Sequence, residues 1–131
     1  MKQIYLDTNF LLIPAQFRVD IFTEIERLMH EPYKLNVLEK SLQELDKIIA
    51  EQKGRDKDAA KLAKKIIESK IKQKSLNITA FSKDLGVDDI LVELANSEVI
   101  VATQDKELKK RVQEKGGRIL ILKSRQHLQI I

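Results

Sequence analysis

The sequence contains no cysteine and no tryptophan. Without cysteine there are no disulfide frameworks, no thiolate metal sites and no cysteine nucleophile, and a cytoplasmic setting is expected. Only two prolines occur, and no stretch is rich in proline or serine, so nothing in the composition divides the chain. One domain covering residues 1–131 is expected. No apolar run approaches the ~20 residues that cross a bilayer. The opening Met1-Lys2-Gln3-Ile4-Tyr5-Leu6-Asp7 meets an acid where a signal peptide needs an apolar core, so no membrane partner is expected. With two tyrosines and four phenylalanines, several at apparent core positions, an extended base-stacking platform is not expected. Also absent are a glycine-rich phosphate loop ending in Lys-Ser/Thr, His-Glu-x-x-His and Gly-x-Ser-x-Gly.

Charge is plentiful and unevenly spread. The formal net charge is +4, yet residues 47–74 and residues 106–125 each carry a balance of +6, which leaves −8 on the rest. Two basic segments beside an acidic body suggest a polyanionic partner for the first and a cation for the second. Solvated helix faces would produce the same runs.

Ile4-Tyr5-Leu6 and Val99-Ile100-Val101-Ala102 are short, continuously apolar and rich in β-branched residues, as buried strands are. A stretch with Leu35, Val37 and Leu38, then Leu76-Asn77-Ile78, then Ile119 to Leu122, read as further strands. Helices are expected between Asp7 and Pro32, from an N-cap at Ser41, over about residues 55–74 after Gly54, from Val87 to about Ser97, and from Asp105 to Lys115. On the helix after Gly54 the apolar stripe is Ala59, Leu62, Ala63, Ile66, Ile67 and Ile71. Strands alternating with helices predict an α/β fold, a three-layer α/β/α sandwich around a mostly parallel sheet.

Ligands in such folds bind beyond the carboxyl ends of the strands. Asp7 directly follows the first strand, Asp105 follows the strand 99–102, and Asp88 opens the helix after Gly86. Three carboxylates on one rim repel one another, and a hard cation such as Mg²⁺ or Mn²⁺ relieves that repulsion. Each acid alone also suits a helix N-cap or helix dipole. At ~100° per residue, Asp88 lies at the edge of the apolar arc and Asp89 on the wetter side, which favours Asp88 as the ligand. Ser41-Leu42-Gln43-Glu44 fits a capping box, and periodicity does not separate Glu44 from Asp46.

Leu6-Asp7-Thr8-Asn9-Phe10, Ser41-Leu42-Gln43-Glu44-Leu45, Asp88-Asp89-Ile90-Leu91-Val92 and Ala102-Thr103-Gln104-Asp105-Lys106-Glu107-Leu108, in that order, resemble the PIN domain, and the resemblance covers essentially the whole chain. It implies an α/β endoribonuclease whose acids hold one or two Mg²⁺ or Mn²⁺ ions and hydrolyse RNA phosphodiesters. Asp7, Glu44, Asp88 and Asp105 match the catalytic, metal-holding positions, with Thr8, Asn9 and Thr103 supporting them and Asp89 an alternative at the third. Residues 103–111 and the closing Lys123-Ser124-Arg125-Gln126-His127 look like the archaeal and eukaryotic branch linked to small-subunit ribosomal RNA processing, with the VapC-type toxin branch the nearest competitor. The resemblance further implies a homodimer and a protein partner, either an assembly factor or an antitoxin. On this reading Lys57, Lys61, Lys64, Lys65, Lys109, Lys110 and Arg111 hold the RNA backbone. Two other readings compete: a non-cleaving RNA-binding assembly factor on the same fold, and a phospho-receiver-like domain. The latter wants an acid pair at the first strand, where this chain has Asp7 alone.

Overall fold

The computed structural model describes all residues, Met1 to Ile131. The elements run β1 (Lys2–Leu6), α1 (Thr8–Leu11), α2 (Ile13–Phe17), α3 (Ile21–Leu28), β2 (Tyr33–Leu38), α4 (Glu39–Glu51), α5 (Arg55–Lys72), β3 (Asn77–Thr79), α6 (Val87–Leu94), β4 (Val99–Ala102), α7 (Lys106–Glu114), β5 (Arg118–Lys123) and β6 (His127–Ile130). They form a six-stranded sheet in the order β3-β2-β1-β4-β5-β6. The first five strands are mutually parallel, and β6 returns antiparallel to β5.

The continuous apolarity of the strands follows from burial on both faces. Ile4, Leu6, Leu35, Val37, Ile100, Ala102, Leu120 and Leu122 point to one side, into a core completed by Phe10, Ile21, Ile25, Leu45, Ala60, Ala63 and Ile67. Their alternates Leu38, Val99, Val101 and Ile119 point to the other, against Val87, Ile90 and Leu91 of α6 and Leu108 and Val112 of α7. Each large side chain among them, fully withdrawn from water, contributes roughly 1.5–3 kcal/mol. The two cores make the three-layer α/β/α sandwich that the alternation of elements predicts.

Several local expectations are corrected. The helical stretch expected between Asp7 and Pro32 is present and is divided into three, with the last break made where Arg18 adopts a left-handed conformation (φ 56°) and Asp20 caps a new start, accepting from the amides of Phe22 and Thr23. Ser41 is no N-cap: α4 begins at Glu39, directly from the extended Leu38, and Ser41 is fully buried with its hydroxyl unpartnered. On α5 the buried stripe is Ala59, Ala60, Ala63 and Ile67, and Leu62 is 43% exposed. Helix α6 ends at Leu94, short of Ser97, where Ala95 turns extended. β6 has no counterpart among the expected strands. Its hairpin turns through Ser124 and Arg125, both at φ 56°, without the Asn-Gly pair that usually marks such a turn. After α7, Gly116 (φ 86°) and Gly117 bring the chain back so tightly that a Cβ on Gly117 would stand 2.7 Å from Val112 Cγ1.

Candidate active site

The strand order reverses direction at β1: β2 and β3 lie to one side and β4 and β5 to the other. This switch point leaves a crevice at the carboxyl ends of β1 and β4. Asp7 follows β1 there, and Thr103, Gln104 and Asp105 follow β4. The crevice, ≈ 440 Å³, is lined by Asp7, Thr8, Asn9, Glu44, Lys47, Ile48, Glu51, Gln52, Asp88 and Asp105. All four expected carboxylates therefore face one cleft, supplied by the end of β1, the body of α4 and the starts of α6 and α7.

Asp7 is its buried centre, 4% exposed. One carboxylate oxygen accepts the Thr8 amide at 2.8 Å, and the other accepts the Thr103 hydroxyl, also at 2.8 Å. The Thr103 oxygen in turn accepts the Asp105 amide at 3.1 Å, tying the β1 and β4 ends into one network. The Asp7 carboxyl is raised from an ordinary 3.8 to about 6: burial pushes it up most, the Thr103 hydroxyl and the Thr8 amide pull it back, and the neighbouring Asp88 and Glu44 push it up. Asp88 is raised as well, by burial first and then by Asp105 and Glu44. The acids thus feel one another across the cleft, although no three of them close into a cage around a single point.

The capping readings of Asp7 and Asp105 hold alongside their place in the cleft. Asp7 caps α1, and Asp105 accepts the Leu108 amide at 2.9 Å as the cap of α7. Glu44 departs from its capping box: its carboxylate accepts the Thr8 hydroxyl at 2.5 Å, across from α1. Tertiary contacts also separate Glu44 from Asp46, which periodicity left open, and Asp88 from Asp89, where it favoured Asp88. Asp46 is taken up by Lys64 at 2.7 Å, and Asp89 by Arg111 at 2.8 Å, which leaves Glu44 and Asp88 to the cleft.

Two of the seven cations expected to hold RNA are thereby engaged with carboxylates, Lys64 and Arg111. Lys61, Lys64 and Lys65 line a separate depression with Ile49, Leu62 and Glu68, while Lys57 sits half-buried earlier on α5. Lys109 and Lys110 lie on α7, in none of the ion pairs. Lys47, the one basic residue in the cleft, and Glu51, a fifth acid there, are additions of the structure. Their signal was available, since 44, 47, 48 and 51 follow the i, i+3, i+4, i+7 spacing of one helix face.

A family model described as the PIN like domain matches residues 4–125. Ribonuclease VapC4 of Methanocaldococcus jannaschii is 32% identical over 132 residues, covering 99% of this chain and 97% of that protein. Among solved structures, the PIN domain endonuclease Utp24 superposes with a TM-score of 0.74 at 22% identity, over 98% of this chain and 90% of the other. A domain of a functionally unknown Methanocaldococcus jannaschii protein follows with a TM-score of 0.63 at 13% identity, over 95% and 93%. Four acids at the switch point of this sheet, a match through nearly the whole chain and a relative of this identity lead to one statement: the protein belongs to the PIN-like domain family.

Proposed function

We propose that the protein is a divalent-metal-dependent endoribonuclease, a single nuclease unit whose catalytic residues are Asp7, Glu44, Asp88 and Asp105. The observation that carries it is the buried Asp7 facing Asp88 and Glu44, a set of acids whose charges raise the proton affinity of Asp7 and Asp88. Such a set is unfavourable without positive charge among its members. The donors are all carboxylate oxygens, with no histidine in the cleft, and this chemistry fits a hard ion such as Mg²⁺ or Mn²⁺.

Asp7, Glu44, Asp88 and Asp105 would hold one or two such ions. When bound, the ion lowers the pKa of a coordinated water and offsets negative charge on the phosphodiester oxygens. The chain's own groups supply the rest. The Thr103 hydroxyl and the Thr8 amide keep the two Asp7 oxygens fixed, and the Thr8 hydroxyl holds Glu44 toward the cleft. Asp105 is held by its bond to the Leu108 amide. Asn9 offers an uncharged polar contact at the rim, and Lys47 brings a cation to bear on a substrate phosphate.

The relative called Ribonuclease VapC4 supports RNA as substrate and favours the VapC-type branch in sequence. The likeness to the PIN domain endonuclease Utp24 supports the fold. We retain ribosomal RNA as the first substrate to test and the VapC-type reading, with an antitoxin partner, as the second. No helix is long and apolar enough to cross a membrane. The decisive experiment is cleavage of structured and single-stranded RNA with Mn²⁺, Mg²⁺ or chelator. Metal-dependent cleavage that Asp88→Asn and Asp105→Asn abolish and Asp89→Asn spares is expected. RNA binding with no cleavage by the wild type under any metal would instead establish a non-cleaving RNA-binding protein.

A further inference from the structure

The substrate approaches a cleft of carboxylates, so its affinity must come from cations around the rim. One group of cations is built into the sheet itself. β5 runs parallel to β4, with Ala102 opposite Leu120, so Lys123 emerges at the same edge as Thr103 and Asp105. β6 turns back beside it, pairing Lys123 with His127, and the tip between them overhangs that edge. At strand spacings of ~4.8 Å the end of β5, which carries Lys123, stands about 5 Å laterally from β4 and about 10 Å from β1, and the turn with Arg125 lies between it and β6, one spacing farther out. Lys123 and Arg125 are exposed there, and neither enters an ion pair, in contrast to Lys64 and Arg111.

The hairpin is fastened to the acid-bearing loop. Gln104, between Thr103 and Asp105, donates from Nε2 to the Leu122 carbonyl at 3.3 Å and accepts the Leu122 amide on Oε1 at 2.8 Å. On the far strand the Leu128 amide donates to Glu24 of α3 at 2.9 Å. The turn is closed by the Gln126 amide donating to the Lys123 carbonyl at 3.2 Å. Its two central residues, Ser124 and Arg125, sit at φ 56°, where glycine or asparagine is at ease and a long side chain is not. Arg125 thus projects from a turn whose two strands are each tied to a neighbouring element.

We propose that the β5–β6 hairpin is a docking arm for the RNA backbone: Lys123 and Arg125 take phosphates of the strand flanking the four-acid cleft, and Gln104 is the positioning residue that fixes the arm against Asp105. The proposal rests on the nuclease reading above. Phosphate contacts of this kind set the register of the strand over the cleft without reading its sequence.

The test uses the full chain with Lys123→Gln and Arg125→Asn combined. Binding of a fluorescent single-stranded RNA is read by anisotropy in chelator across a salt series, and cleavage of the same RNA with Mn²⁺. Binding about tenfold or more weaker at ~0.1 M salt is expected. Loss of two phosphate contacts should flatten the plot of log affinity against log salt by about 1.4. KM should rise while kcat at saturating RNA stays within about twofold. Asparagine suits the left-handed turn, so the melting temperature should hold or rise while binding falls, a combination that a merely structural role does not produce. Gln104→Ala leaves both cations in place and should raise KM without altering the salt slope. Unchanged affinity and slope in the double variant, or a fall in kcat at unchanged KM, would overturn the arm. Salt-dependent binding lost in the double variant, from a wild type that never cleaves, would keep the arm and reject the nuclease.

Discussion

Replacing Asp7 by asparagine should make the metal-free protein more stable at neutral pH while ending its activity. The magnitude follows from the proton affinity of one buried group. Asp7 is 4% exposed and its carboxyl is raised from 3.8 to about 6, with burial the first cause. Between those values the folded state holds the proton more tightly than the unfolded chain, so stability is full below pH ~4 and falls as pH climbs through 6. About two units at ~1.36 kcal/mol each leave the ionised form about 3 kcal/mol worse off at pH ~7.5. Asparagine carries no charge at any pH and keeps the bond from the Thr8 amide. Its Nδ2 meets the Thr103 hydroxyl, however, which already accepts from the Asp105 amide, and that mismatch costs about 1 kcal/mol. The net gain is therefore about 2 kcal/mol at pH ~7.5, a rise in melting temperature of about 6–8 °C for a chain of this size. Thermal denaturation in chelator at pH ~4, ~6 and ~7.5 checks it: the variant should be level with the wild type or slightly below it at the lowest pH, pull ahead by the middle value and keep that lead at the highest. A divalent ion at about a hundred times its Kd should restore about 2.7 kcal/mol to the wild type and little to the variant. A difference between the two proteins that does not change with pH, or a variant less stable at the highest pH, would refute the account of the cleft as a set of unfavourably ionised acids.

Other substitutions divide the site by role. Thr103→Val removes the hydroxyl donor to Asp7 and the acceptor of the Asp105 amide; a loss of about 1–3 kcal/mol in denaturant unfolding is expected, with weaker Mn²⁺ binding by titration calorimetry. Lys47→Ala should leave folding within about 0.5 kcal/mol, as an exposed substitution does, while raising KM for RNA in a Mn²⁺ cleavage assay. Gly117→Ala forces a methyl to within 2.7 Å of Val112 Cγ1 and should cost about 1–3 kcal/mol of stability by chemical denaturation, with kcat unaffected in the folded fraction.

Much of the fold was legible because it repeats short-range rules. Val99-Ile100-Val101-Ala102 is apolar at every position because both sheet faces are covered, and its observed bounds coincide with that run. Asp105 announced both a cap and a strand-end acid, and it is both. Arg118 to Ile130 was only half legible: the hairpin turn is carried by serine and arginine in left-handed conformations, residues that lack the usual turn preference. The start of α4 was misplaced for a similar reason. Ser41 has the chemistry of a cap, but β2 runs directly into the helix at Glu39 and leaves that hydroxyl buried.

The sequence by itself determined the layered α/β class, the parallel strands and the presence of acids after β1 and β4, because burial and strand polarity are written in local periodicity and order. Which of Glu44 and Asp46 faces the cleft was decided only in three dimensions, while for Asp88 over Asp89, already favoured by helical spacing, tertiary contacts supply the reason. Glu44 and Asp46 differ by two residues on one helix, and the choice falls on Glu44 because Thr8 holds it while Lys64, a helix away, draws off Asp46. Asp88 is left to the cleft because Arg111 of α7 pairs with Asp89. The same pairings withdraw Lys64 and Arg111 from the basic segments. A count of charge along a chain carries no information about which charges neutralise one another, because that depends on contacts between segments far apart in sequence.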